Sequence, residues 1–572
     1  MSTADAALAA LDVGENLRAY DLAVAALAHE PRELRLAHTA VLALARSGAL
    51  DSAEARYSEL GLDVAADDQA TDSAMRVDLY ALYAQLAKDR AVQAAGDDRR
   101  RWARVAADRY EAAIIPADGG YAHGNVAAMA LLAGEPERAC QSARAALTEA
   151  RTGADAHTRQ AGYWQTATRA EAHVVLGEID AAAVTLEEAD VLAGDDVGAR
   201  AGTRRRLQLL VDDGAAPAWL LDRLPVPGIV AFSGHRLAPD PEAEAGLRHD
   251  IDGVLERRRA GVGYGSLACG ADVLWAEALI ERGAIVHIVL PFDPDQFIDT
   301  SVRPGGEGWV RRHEAIRAAA ASVAVATEGP YRGHDELYGL TASLFLGRAR
   351  MRAEETTATS SLGVVWDGET GTGPAGTGAD VARWRRAGGE LDVVVPRGTR
   401  VRGGGQPPEP PERVVAAALF GELESLRGTT DAVLATTAAT IETAADEVAY
   451  SSRRGEDFVV VCPAAGAAAT LALALQVAVP DVRLTAHAGA MVPWQGSARD
   501  LTAHRDGAAV PAAPIEPRTP EGEVYVTEPF AALLALDPAA GIAADYVGHW
   551  PTAAHDGELP IYVLRRCTPH PR

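Results

Sequence analysis

Apolar and polar positions divide the chain into stretches with different periods. From residue 1 to about 223, alanine and leucine recur at helical spacing, without the two-residue alternation of a strand. A short signature returns three times, as Gly48…Asp51…Ala53, Gly134…Glu137…Ala139 and Gly177…Asp180…Ala182. Glycine ends one helix, the acid suits the first turn of the next, and alanine lets the two helices pack closely. That is the logic of an antiparallel helical repeat. From Ile229 the pattern changes to short apolar runs, each followed by a glycine-rich turn and a helical segment: IVAFSGHRLAP, then GYGSLACGADVLWAEALIERGAIVHIVLPF, then LGVVWDGETGTGPAGTGADVARWRRAGGELDVVVP. This order predicts a doubly wound α/β sheet over residues 226–398. Within it, SVAVAT from Ser322 reads as a buried strand. Residues 399–412, ending in GGGQPPEPPE, break the pattern and read as an extended, solvated linker. Strands and helices alternate again over 413–567, from RVVAAALFGELESL to PIYVLRR.

The glycine turns carry the candidate chemistry. The first apolar run ends in Ser233-Gly234-His235-Arg236, which places His235 and Arg236 at the carboxyl edge of the sheet, where open α/β sheets hold ligands. Arginine suits a phosphate fork, and glycines allow the backbone to approach a ligand. The loop is not a phosphate-binding Walker loop, because the only lysine of the chain is Lys88, and GSLACGAD lacks the G-x-G-x-x-G spacing. Asp272 and Glu277 follow that loop. Asp272 has two readings, a helix cap or a ribose contact. Arg303, Arg311 and Arg312 also have two, a phosphate cluster or a surface helix face.

SGHR, GSLACGAD with the following EAL, LPF and WDG…GPAGT occur in this order, and together they resemble the SLOG (LOG/DprA-like) superfamily of Rossmann-like domains. The resemblance implies a nucleotide-derived ligand held by Gly234, His235, Arg236, Gly265, Ser266, Gly270, Asp272, Gly373, Gly376 and Thr377. Enzymes of the LOG branch carry P-G-G-x-G-T-x-x-E. The nearest match here runs from Pro374 to Asp380 and is read as lacking the glutamate spacing. Ligand binding is therefore expected, with a nucleotide glycosidase or phosphoribohydrolase as an alternative.

The C-terminal stretch resembles class III nucleotidyl cyclase domains through ALFGELESL, RRGEDF, HAG and EGEVYVTEPFAAL. That implies an α/β ferredoxin-like fold and a magnesium or manganese site on Glu422 and Glu456, with Asp457 adjacent to the second position. The asparagine and arginine of such enzymes fall on Val510 and Pro514, which donate no side-chain hydrogen bond. Losing one such donor costs about 3–4 kcal/mol of transition-state stabilisation. The resemblance thus implies a cyclase-like pseudoenzyme that pairs two chains into a homodimer, the alternative being an active adenylate or guanylate cyclase. The first stretch resembles tetratricopeptide-type solenoids, with YWQTATRAEAHVVLGE similar to TRAFs-binding modules, and implies a protein partner.

Composition narrows the function classes. Eighty acidic against 54 basic residues give −26, which argues against a general nucleic-acid binder. Cys140, Cys269, Cys462 and Cys567 are scattered without C-x-x-C, so neither a zinc site nor a disulfide framework is expected. Cys269 is read as a packing residue rather than a reactive thiol. Lys88-Asp89-Arg90 and Arg99-Arg100-Arg101 read as solvated faces. With no basic leader and no apolar run of membrane-spanning length, a cytoplasmic location is expected. The reading is of a signalling protein: an α-helical repeat solenoid (1–223), a Rossmann-like sensor domain (226–398) and a ferredoxin-like, cyclase-type domain (413–567).

Overall fold

The computed structural model describes residues 3–12, 16–114, 119–152, 159–194, 196–327, 331, 335–369, 373–401, 414–423, 431–454, 457–491, 520, 522–551 and 558–567. Two compact units emerge, one chiefly Met1–Val226 and the other chiefly Pro227–Tyr546.

The first unit is helical: α1 (Thr3–Asp12), α2 (Asn16–Leu27), α3 (Leu34–Arg46), α4 (Leu50–Glu59), α5 (Leu62–Asp67), α6 (Ser73–Gln93), α7 (Gly96–Ala112), α8 (Gly119–Leu132), α9 (Pro136–Thr152), α10 (Arg159–Val175), α11 (Ile179–Ala193) and α12 (Val197–Asp212). Gly48, Gly134 and Gly177 all have positive φ, between 73° and 82°, at the ends of α3, α8 and α10. The next amide reaches back five residues in each case, Ala49 to Leu44, Glu135 to Ala130 and Glu178 to His173. These bonds satisfy carbonyls that would otherwise end the helix unpaired. Ala53, Ala139 and Ala182 are fully buried, so the small residue of the signature sits where the helices meet. One expectation fails here. Lys88, Asp89 and Arg90 are not a solvated face: Lys88 donates to Asn125, Asp89 accepts from Gln85, and Arg90 pairs with Asp51 and Glu54 of α4. A helix packed on several neighbours has no single solvent side, and a charge run cannot reveal that. Arg100 and Arg101 are exposed and pair with Asp97 and Asp98 at 3.1 and 3.6 Å.

The second unit opens with β1 (Gly228–Gly234), α13 (Pro241–Arg257), β2 (Ala260–Gly265), α14 (Ala271–Glu281), β3 (Ile285–Leu290), α15 (Pro294–Phe297), α16 (Glu307–Ala319), β4 (Ser322–Val325), α17 (Glu336–Thr356), β5 (Ser360–Val365), α18 (Thr377–Arg386) and β6 (Glu390–Val394). The strands form a parallel sheet of order β4-β3-β2-β1-β5-β6. Strand order therefore reverses beside β1, and the crevice outside the carboxyl ends of β1 and β5 is the switch point of the sheet. β1 is buried on both faces, as a central parallel strand should be. SVAVAT departs from the expectation. β4 is an edge strand, with Val323 and Val325 each more than a third exposed, because its outer side lacks a neighbour. Thr399 and Val401, assigned to the linker, are instead held by backbone bonds with Ala238 and Arg236; residues 402–412 lie outside the described residues.

The remainder comprises β7 (Val414–Glu422), α19 (Asp431–Thr443), β8 (Tyr450–Arg454), β9 (Asp457–Cys462), α20 (Ala465–Ala478), β10 (Arg483–Met491), β11 (Val524–Thr527), α21 (Glu528–Ala535), β12 (Ile542–Pro551) and β13 (Glu558–Arg566). These strands form a mixed sheet of order β12-β13-β11-β10-β7-β9-β8, with β10 and β11 parallel and β7 antiparallel to both β9 and β10. Period-two alternation sorts β7: Ala417 and Leu419 join the larger core with α20, while Ala416 and Ala418 pack with Tyr450 and Met491. The two sheets meet through α17 and α21, where a Cβ on Gly347 would lie 2.0 Å from the Ala532 carbonyl oxygen. Only glycine permits that approach. The chain is thus an α-helical N-terminal region followed by α/β structure with one parallel and one mixed sheet.

Candidate functional site

The switch point gathers side chains from four segments. β1 ends in Ser233 and Gly234 and delivers His235 and Arg236; α14 and α18 begin there, each behind a positive-φ glycine, Gly270 and Gly376 (both φ 94°). The 266–270 loop is fastened to β1 by the Ala271 amide, which donates to the His235 carbonyl at 3.2 Å. Two helix N-termini therefore open beside one strand end, an arrangement that favours an anion.

His235 is buried, and its Nε2 lies 3.1 Å from Asp367 Oδ1 at the end of β5. Burial lowers its pKa, against the Asp367 hydrogen bond. Arg236 is half-buried; its guanidinium donates to the Thr300 carbonyl at 3.3 Å, and its own carbonyl accepts from the Val401 amide. Among the described residues no carboxylate lies within ion-pair distance of its guanidinium, and its charge acts on the buried Asp272. Asp367 is matched instead by Arg400.

The other glycines have structural reasons. A Cβ on Gly234 would meet Ala271 Cβ at 2.4 Å, and one on Gly265 would meet the Phe232 ring at 2.2 Å. Both make way for packing. Ser266 is half-buried on the loop, Gly373 and Gly376 are exposed, and Thr377 is buried at the start of α18.

Two buried carboxyls define the chemistry. Asp272 Oδ2 accepts from the Ala268 amide at 3.1 Å, closing the loop ahead of the helix, while Oδ1 is shielded from solvent and completes no hydrogen bond among the described residues. Burial pushes its pKa up to about 7, with a contribution from the Asp380 charge and opposition from the Ala268 and Gly234 amides and Arg236. Asp380, in the first turn of α18, accepts from the Ser233 hydroxyl at 2.7 Å and faces Arg383 at 3.4 Å. Burial still drives it up to about 6. Sequence reasoning missed Asp380. The signal was present, since Gly376-Thr377-x-x-Asp380 keeps the spacing of G-T-x-x-E with aspartate for glutamate.

The arginine cluster does not reach this site. Arg312 forks onto Glu277 at 2.6 and 2.8 Å and also holds Glu244, and Arg303 pairs with Asp299 and Glu307. These pairs consume the charges read as phosphate ligands, and Arg311 is exposed on the helix. Cys269 is buried, and burial pushes its thiol up to about 11, so it is not poised as a nucleophile.

In the mixed sheet, Glu422 and Asp457 are direct cross-strand neighbours on β7 and β9, while Arg483 faces Glu422 from β10, 3.9 Å away. An arginine therefore stands beside the carboxylate that a metal would need. Glu456, Val510 and Pro514 lie outside the described residues. Among the described residues no three His, Cys, Asp or Glu side chains converge as a metal site. No helix among them is long and apolar enough to cross a membrane.

No protein-family profile and no curated protein matches the chain. Among solved structures it is similar to Haemophilus influenzae LpoA, at 11% identity and a TM-score of 0.20, covering 64% of this chain and 65% of that one. The chain thus spans just under two thirds of that protein, and a likeness this loose carries no argument about fold or function.

Proposed function

We propose that this chain binds a nucleotide-derived ligand in the crevice between β1 and β5 and acts as a sensor. The observation that carries the reading is the Arg236 guanidinium, without an ion pair among the described residues, beside two helix N-termini at the switch point. The arginine and the helix ends would take the phosphate, and His235, held by Asp367, would position the ligand. The SLOG resemblance agrees with this placement, as does the β-α-β-β-α-β connectivity of residues 414–491 with a cyclase-type second domain. The pairing of Glu422 with Arg483 favours the pseudoenzyme reading of that domain. Calorimetric titration with nucleoside mono-, di- and triphosphates, NAD and ADP-ribose tests the binding claim. At least one should bind the wild type and lose affinity on His235→Ala with Arg236→Ala. Equal affinity in that variant would show the site to be misassigned.

Asp380 favours a second reading, a nucleotide glycosidase. A carboxyl held near neutral pH beside a hydroxyl can exchange protons with a substrate. Mass spectrometry after incubation with nucleoside monophosphates should then reveal free base, lost in Asp380→Asn.

A further inference from the structure

Aromatic side chains gather at the carboxyl edge of the parallel sheet, on the side of β1 toward which Arg236 reaches. Phe292 follows β3, Tyr331 follows β4, and Tyr338 lies in the first turn of α17. Phe292 is fully buried, and Tyr331 lies flat on it, with ring centres 4.4 Å and planes 16° apart. Tyr338 meets both rings edge-on, at 5.6 and 5.7 Å. Its hydroxyl is 2.9 Å from Ser301 Oγ and 3.5 Å from Thr300 Oγ1. Thr300 is also the residue whose carbonyl takes the Arg236 guanidinium, so contacts run without a break from Arg236 to the rings. Burial raises the Tyr331 pKa to about 12, and the Arg236 charge is near enough to oppose that rise. The Tyr331 backbone is held as well, its amide donating to Gln296 Oε1 at 2.9 Å. A ring that served only the core would be sealed in it. Tyr331 is instead half-buried: Phe292 covers one face, and among the described residues no ring stacks on the other.

We propose that Tyr331, backed by Phe292 and fixed by Tyr338, is the platform on which the base of the nucleotide stacks, with the phosphate at Arg236. Every base has a π-face, so an ordered ring beside a phosphate-binding arginine accepts a base without reading its edge. The phenylalanine behind the platform and the tyrosine at its edge hold the ring in place before the ligand arrives, so little ordering remains to be done on binding. The inference rests on the nucleotide reading of the crevice. It adds that the ligand carries a base, and that a bare sugar phosphate is a poor substitute for it.

Calorimetric titration of the full chain with AMP, CMP, GMP, UMP, ADP-ribose and ribose 5-phosphate tests it. The wild type is expected to bind at least one nucleotide more tightly than ribose 5-phosphate. Tyr331→Ala should weaken that nucleotide about 5- to 150-fold, the range of one base–aromatic stack, and weaken ribose 5-phosphate far less. Tyr331→Phe should keep nucleotide affinity, because the ring and not the hydroxyl makes the contact. Tyr331→Leu retains apolar bulk without a ring, is checked for folding by its thermal transition, and should bind as Tyr331→Ala does. Arg236→Ala separates the two readings, since it should weaken nucleotide and sugar phosphate alike. Nucleotide affinity that survives in Tyr331→Ala, or that falls together with ribose 5-phosphate affinity in the folded variants, overturns the stacking platform and leaves the crevice standing. A wild type that binds none of the probes overturns both.

Discussion

Two pairs of carboxylates sit at two sheet edges, and they are treated in opposite ways. Asp272 and Asp380 lie at the carboxyl edge of the parallel sheet, buried, with pKa values pushed up to about 7 and about 6. Glu422 and Asp457 lie opposite each other in the mixed sheet with Arg483 beside Glu422. In the second arrangement the Arg483 charge offsets that of Glu422. The first leaves Asp272 Oδ1 without a hydrogen bond among the described residues, an unfavourable state that a ligand donor would relieve. The comparison supports the proposed ligand site at the parallel sheet.

The largest expected effect concerns Asp272. Folding raises its pKa from 3.8 to about 7, a shift worth roughly 4 kcal/mol. The folded state holds the proton longer than the unfolded chain does. Its contribution is therefore fully present below about pH 4 and is lost as pH rises through about 7. Asp272→Asn should flatten this decline and protect the protein at pH 8, as measured by urea unfolding at pH 5 and pH 8. An unchanged pH slope would mean that Asp272 is not the strained group.

Arg236→Ala removes a charge-assisted contact worth about 1.5–3 kcal/mol, so nucleotide affinity should fall roughly 10- to 150-fold with little change in the thermal transition. Gly234→Ala drives a methyl into Ala271 and should destabilise by about 1–3 kcal/mol, visible as a lower melting temperature and weaker binding together. Arg483→Ala should cost at most about 1 kcal/mol, because its 3.9 Å pair is partly exposed. That same variant sharpens the contrast. With the arginine gone, Glu422 and Asp457 should gain measurable manganese affinity by calorimetry that the wild type lacks.

Much of this was legible from residues alone. Gly48, Gly134 and Gly177 announced helix ends because each needs a positive φ, and SGHR announced a strand end because an apolar run stops at a small polar residue. The local signals stop where partners come from afar. Arg312 looked available until Glu244 and Glu277, 68 and 35 residues away, were found to hold it. Lys88 looked solvated because a charge run reveals nothing about helices packed on three sides. Asp380 was hidden by one methylene: aspartate stands where the pattern calls for glutamate, and its burial depends on Ser233, which is 147 residues earlier. SVAVAT was apolar enough for a core strand, and its edge position follows from sheet order, which no single strand encodes.

The most direct test of the central claim is calorimetric titration of one nucleotide ligand into three proteins: the wild type, Arg236→Ala and Glu422→Ala. The account predicts that affinity collapses in Arg236→Ala and is unchanged in Glu422→Ala. Retained affinity in the first with loss in the second would contradict it and move the nucleotide site to the mixed sheet.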